Sequence, residues 1–167
     1  MFEDFMSIQN IVVGSIEYKD KLLLIKRKRG DYQQKYALVG GKLDFDEGIQ
    51  KAMQREIMEE TGLTVTWKGI KAIINEKLKN KKNNSTSKQF LIILCSTEAG
   101  SDVVKESDEG ELRWFSKEDI DNEKENIIPS DYLMITQLLR RNNMNSIIEL
   151  DLFEENNDLE LGSFSEY

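Results

Sequence analysis

Short runs of branched apolar residues, cut by polar turns, mark the start of the chain. Residues 8–18 are rich in Ile and Val and predict a strand, Leu22-Leu23-Leu24-Ile25 predicts a second, and Asp20-Lys21 reads as the turn of a hairpin between them. Lys26-Arg27-Lys28-Arg29-Gly30-Asp31 then reads as a basic loop, and Tyr36-Ala37-Leu38-Val39 as a short strand running into Gly40-Gly41. Over 48–61 the period changes. Ile49, Ala52, Met53 and Ile57 form an apolar stripe at helical spacing, and Gly62 stands where a left-handed cap ends a helix. Residues 63–78 read as mostly extended, with Val65, Trp67, Ile70 and Ile73 as candidates for burial. Residues 79–88 are a polar hairpin tip, 90–97 an apolar central strand, 99–110 an acidic loop and 112–115 a further strand. Ser116-Lys117-Glu118-Asp119 predicts a capped short helix. The single proline, Pro129, precedes an expected N-cap at Ser130, after which Tyr132, Ile135, Leu138 and Leu139 fit a second long helix. Residues 147–153 alternate as a strand does. Residues 154–167 are acidic and read as a loosely packed tail or an oligomer contact.

The helical stretch 48–61 carries the chemistry. Glu56, Glu59 and Glu60 stand at i, i+3 and i+4, so their carboxylates share one face of the helix. Like charges at that spacing repel and add nothing to a helix by themselves. A divalent cation reverses the sign, because Mg²⁺ takes oxygen ligands and is commonly bound through carboxylates together with substrate phosphates. The competing reading is a solvated, Glu-rich helix face, the usual meaning of a charge run.

The wider pattern decides between them. From Gly41, the chain runs Gly, five residues, Glu47, seven residues, Arg55-Glu56-Ile57, one residue, Glu59-Glu60, one residue, Gly62-Leu63. This resembles the Nudix box and fills all nine of its positions. Chance agreement at the seven single-type positions is on the order of 10⁻⁸ per starting point, taking each type at roughly 7% usage. The resemblance covers roughly residues 8–140 and implies an α/β fold, a Nudix-type α/β/α sandwich around a mixed β-sheet. A single domain over 1–153 followed by an acidic tail, 154–167, is the expected organisation.

The resemblance implies hydrolysis of a pyrophosphate bond in a nucleoside diphosphate linked to some group X, with Mg²⁺ as cofactor and Mn²⁺ as a substitute. It implies the Gly40 carbonyl, Glu47, Glu56, Glu59 and Glu60 as metal ligands. Arg55, four residues before Glu59, has the spacing to pair with and orient a carboxylate; it joins Glu56, Glu59 and Glu109 in the expected catalytic set. Glu56 is the first choice for general base. Relatives often use a glutamate just before a strand ending in Trp, and Glu106, Glu109 and Glu111 all precede Trp114 without a ranking among them. Arg27, Arg29, Tyr36 and Leu38 are the substrate-binding candidates. Many relatives place Trp and Pro where this chain has Tyr36 and Val39, so Tyr36 is expected to pack or to stack on a base. The proline marker of some ADP-ribose hydrolases is missing, with Lys77 and Leu78 in its place. The segment Glu109 to Phe115 looks like that of the branch acting on nucleoside triphosphates, oxidised ones included. ADP-ribose or nucleotide-sugar cleavage, and a non-catalytic nucleotide sensor, are the alternatives; sensors usually lose box glutamates, and none is lost here. A purely structural acidic partner protein is a third class.

Bulk properties narrow the classes. At 167 residues the chain fits one domain with a sizeable core. A net charge of -8 argues against a nucleic-acid polymer as partner, which calls for a basic footprint, but not against a small nucleotide whose phosphates a cation bridges. No stretch approaches a membrane span, and Met1 to Met6 is acidic where a secretory leader is basic, so a cytoplasmic monomer or homodimer is expected. There is no histidine, which removes His triads and His-ligated zinc. The lone Cys95 sits in an apolar run and reads as a buried structural thiol.

Overall fold

Paired extended segments dominate the architecture, as the alternating apolar runs require. The computed structural model describes residues 7–30, 32–105, 107–141, 146–156 and 158–167. The N-terminal residues 1–6, Asp31 of the basic loop and Glu106 of the acidic loop lie outside them. Eight strands form one sheet: β1 (Ile8–Tyr18), β2 (Lys21–Arg27), β3 (Tyr36–Lys42), β4 (Val65–Asn80), β5 (Thr86–Ala99), β6 (Gly110–Phe115), β7 (Ser146–Glu155) and β8 (Asp158–Glu166). Their order across the sheet is β6-β2-β3-β1-β5-β4-β7-β8. β1 runs parallel to β5, and β4 parallel to β7; the other pairs are antiparallel, so the sheet is mixed.

Helix α1 (Ile49–Thr61) covers one face. Its stripe of Ala52, Met53 and Ile57 is fully buried, with Met53 and Ile57 against Gly14 of β1. Gly62 ends it in the left-handed conformation at φ 71, returning its N–H to the Met58 carbonyl. Side chains alternate across a strand. Position 14 of β1 faces α1, so Ile11 and Val13 point to the opposite face, where they line a cavity with Met134. That face carries α3 (Pro129–Leu133), continued by a π-helical turn over Met134–Leu138. Helix α2 (Lys117–Asn122) opens with the expected capping box, Ser116 and Asp119 each satisfying the other's backbone N–H.

Several expectations shift. The first hairpin turns at Lys19 and Asp20, both at positive φ, so the turn sits one residue earlier than Asp20-Lys21; two left-handed central residues match the twist of a two-residue hairpin. Lys26 and Arg27 complete β2 rather than belonging to the basic loop. Ser130 is not an N-cap: Ile128 is, Pro129 takes the first helical position, and Ser130 and Asp131 are buried. The residues expected to form a loose tail instead end β7 and make β8, where half-buried Leu159 and Leu161 pack against the core edge and the acidic side chains face outward. A charged rim of this kind discourages further strand pairing.

In β4, bulges between Trp67 and Gly69 and between Ile70 and Ala72 slip the register. The two shifts together leave the alternation of faces unchanged: Ala72, Ile74, Glu76 and Leu78 turn inward, while Ile73 is 39% exposed, contrary to expectation. Val65 is buried; Trp67 and Ile70 are half-buried against the core. Cys95 is a free, fully buried thiol, and burial pushes its pKa up to about 12.

Candidate active site

Strand β3 delivers Gly40 and Gly41 to the face of α1 that carries the glutamates. A Cβ on Gly41 would stand 2.5 Å from the Glu56 carboxylate, so only glycine lets the strand lie this close. On the helix, Arg55 gathers the neighbouring acids. Its Nε and Nη2 donate to the two oxygens of Glu47 at 3.1 and 2.9 Å, Nη1 donates to Glu56 at 2.6 Å and to Glu59 at 3.4 Å, and Nη2 reaches the Lys42 carbonyl at 3.1 Å. The hydrogen bonds that Arg55 donates to Glu47 and Glu56 raise its pKa further, and the same contact lowers that of Glu47.

Glu60 is treated differently. One of its carboxylate oxygens is buried without a hydrogen-bond partner among the described residues. Burial, then the negative charges of Glu56 and Glu109, push its pKa up to about 8; Arg27 and the Gly40 backbone N–H pull the other way. Glu56 is also raised, chiefly by burial, with Arg55 opposing. A buried acid surrounded by acids, with an unused oxygen, fits a cation.

These residues form one wall of a cavity of about 650 Å³. Gly40, Gly41, Glu56, Glu59, Glu60 and Glu109 line one end; Arg27 and Leu38 lie on its wall; Tyr32, Glu76, Ser130 and Asp131 line the remainder with Phe90 and Ile92. The size suits a nucleotide-scale ligand.

The NUDIX domain family model matches residues 9–138. The chain belongs to the Nudix family. This Nudix hydrolase is 34% identical over 124 residues to the ADP-ribose pyrophosphatase of Methanocaldococcus jannaschii, covering 73% of this chain and 71% of that one. Among solved structures, it resembles the MutT protein from Bacillus halodurans at a TM-score of 0.72 and 21% identity, over 95% of this chain and 97% of that one. It also resembles the MutT protein from Methanosarcina mazei Go1 at a TM-score of 0.62 and 28% identity, over 77% and 89%. The α/β/α sandwich and the pyrophosphohydrolase class stand on these likenesses together with the fold.

The structure brings most of the sequence-selected residues of this Nudix hydrolase to one place and separates others. Gly40, Glu56, Glu59, Glu60, Glu109, Arg27 and Leu38 share the cavity. Glu47 and Arg55 stand behind it, bound to each other. Arg29 and Glu111 lie away from the cavity lining and are exposed, Glu111 opposite Lys26 at the sheet edge. Tyr36 packs edge-on against Phe115, with ring centroids 4.8 Å apart, and is not among the residues lining the cavity. Among the described residues, no three acidic side chains already form a closed ligand cage; Glu56 and Glu59 lean on Arg55 instead.

Sequence reasoning missed Tyr32, Glu76, Ser130 and Asp131. One signal was present for Glu76: it occupies the inward register of a strand between Ile74 and Leu78, where an acid is out of place. No helix among the described residues is long and apolar enough to cross a membrane.

Proposed function

We propose that the protein hydrolyses a pyrophosphate bond of nucleoside triphosphates, oxidised ones included, releasing a nucleoside monophosphate and pyrophosphate with Mg²⁺ as cofactor and Mn²⁺ as a substitute. One observation carries this reading: a single cavity joins the frustrated Glu60 carboxylate to a compartment walled by Phe90, Ile92 and Met134, so phosphates and a flat ring find their surroundings in one place. Glu56, Glu59, Glu60 and the Gly40 carbonyl would hold the metal. When bound, the ion polarises phosphoryl oxygens and makes a water more acidic. Arg55 acts from behind, fixing Glu56 and Glu59 against their mutual repulsion. Arg27 on the cavity wall supplies positive charge to a phosphate. Glu109 takes the proton from the attacking water: it lines the cavity, whereas Glu56 is tied to Arg55 at 2.6 Å, and a guanidinium that close weakens a base.

The likeness to an ADP-ribose pyrophosphatase favours a second reading, cleavage of ADP-ribose. A panel of dNTPs, oxidised dNTPs, ADP-ribose, dinucleoside polyphosphates and nucleotide sugars, each with Mg²⁺ and Mn²⁺, separates the two. Triphosphate turnover that is lost in Glu59→Gln supports the first reading. Preferred cleavage of ADP-ribose selects the second, and tight binding without turnover across the panel refutes both.

A further inference from the structure

At the end of the cavity away from the box glutamates, Glu76 is 2% exposed and lines the wall. Its Oε1 accepts a long hydrogen bond, 3.4 Å, from the Tyr32 hydroxyl; its Oε2 is buried with no partner among the described residues. No cation pairs with it among the described residues, so it is not half of a structural ion pair. Beside it, Asp131 spends Oδ1 on the Leu38 backbone N–H at 2.7 Å. The Ser130 hydroxyl, like that of Tyr32, favours the charged form of Glu76, and Arg27 acts on Asp131; two carboxylates still outweigh these donors, and Glu76 Oε2 is left without one among the described residues. An acceptor left unmet in a buried site is costly, which gives a ligand offering N–H groups an advantage there.

The apolar lining of Phe90, Ile92 and Met134 suits a ring, and the carboxylate selects its edge. A carboxylate presents two oxygens side by side. Guanine presents N1–H and the 2-amino group side by side, two donors in register with them. Adenine and cytosine set one amino group beside a ring-nitrogen lone pair, and uracil and thymine flank one N–H with carbonyls, so each turns an acceptor toward one carboxylate oxygen. We propose that Glu76 is the specificity-determining residue of this enzyme, selecting a guanine-type base by accepting from its N1–H and 2-amino group. The inference rests on the nucleotide-hydrolase reading above and adds the base to it.

Inosine tests it, because it lacks only the 2-amino group. Dissociation constants for GMP, IMP, AMP and UMP are measured on the full chain with Mg²⁺, alongside kcat/KM for GTP and ITP. GMP is expected to bind roughly 10- to 100-fold more tightly than IMP, the range for one hydrogen bond to a charged acceptor, and AMP and UMP more weakly than GMP. Glu76→Gln, which keeps the size and replaces one acceptor by a donor, is expected to bring the GMP-to-IMP ratio close to one. A merely structural Glu76 would lower all four affinities together and leave that ratio unchanged. The wild-type ratio tests the assignment even where Glu76→Gln does not fold. Equal binding of GMP and IMP, preference for AMP or UMP, or no binding of any of the four overturns it. GTP and ITP hydrolysed equally well removes this inference and leaves the hydrolase standing; discrimination in binding with no turnover of any nucleotide does the reverse.

Discussion

At one end of the cavity Glu56, Glu59, Glu60 and Glu109 crowd together with Arg55 behind them; at the other Glu76 and Asp131 sit among hydroxyls and apolar side chains. Each end holds a buried carboxylate oxygen with no partner among the described residues, on Glu60 and on Glu76. The ends differ in how many negative groups compete. Around Glu60, the acids Glu56 and Glu109 both add to its raised pKa, and the Arg55 guanidinium is spent on Glu47, Glu56 and Glu59. Surplus charge of that kind is relieved by a cation. Around Glu76 there is one neighbouring acid, partly satisfied by a backbone N–H, and two hydroxyls. What is short there is hydrogen-bond donors, and neutral N–H groups meet the need. On the proposed reading, the same residue type meets a cation at one end and N–H groups at the other.

The cation end gives the largest expected effects. Glu60→Gln keeps the shape and removes the charge. A loss of roughly 10³-fold in kcat/KM is expected, matching the several kcal/mol that a metal ion contributes, along with weaker Mn²⁺ binding by calorimetry. Near-normal activity and ion uptake in this variant would mean the buried oxygen is not a ligand. Glu109→Gln and Glu111→Gln form the next pair. The first is expected to lower kcat at least about 10²-fold, the lower range for a general base, and the second to change it little, because Glu111 stands outside the cavity. Equal losses would show that the loop, rather than the carboxylate lining the cavity, is what matters.

Gly41→Ala probes the close approach itself. The new methyl group would meet the Glu56 carboxylate at 2.5 Å and displace it by about an ångström, with the Arg55 contacts following. A shift of that size costs on the order of 10²-fold in rate when it misplaces a reacting group. The expected signature is a drop in kcat with an unchanged circular dichroism spectrum; an active Gly41→Ala enzyme would show that Glu56 has room to move.

The cation end was legible in the sequence because its information is local. Glu56, Glu59 and Glu60 share a helix face by spacing alone, and Gly62 and the apolar stripe of Ala52, Met53 and Ile57 announce that helix. The sheet strands were legible for the same reason, since period-two runs such as residues 147–153 need no partner to be recognised. The other end was not legible. Glu76 alone leaves a trace there, as an acid between the inward Ile74 and Leu78, while its neighbours Tyr32 and Asp131 stand 44 and 55 residues away in sequence. No periodicity in one strand reports a pocket built across three elements. β8 was missed because its apolar content is two leucines and an exposed phenylalanine in an acidic stretch; pairing with β7 supplies the order that propensity does not.

The smallest expected effect bears on the donor-poor end directly. Burial raises the Glu76 pKa from 4.5 to about 7 and that of Asp131 from 3.8 to about 6. A carboxyl whose folded pKa lies above its unfolded value binds its proton more tightly in the folded chain, so stability is full below the unfolded pKa and falls as pH rises toward the folded one. For Glu76 that window runs from about 4.5 to about 7. Without nucleotide or divalent cation, the wild type should lose melting temperature across it. Glu76→Gln lacks this share: its melting temperature should match that of the wild type near pH ~4 and exceed it near pH ~8, by a few degrees for a domain of this size. Thermal melts at three or four pH values read the difference. A gap that stays constant with pH would show that the amide merely repacks the site. A wild type that gains on the variant as pH rises would show that the charged form of Glu76 is already satisfied within the protein, and the need for a ligand's N–H groups would disappear with it.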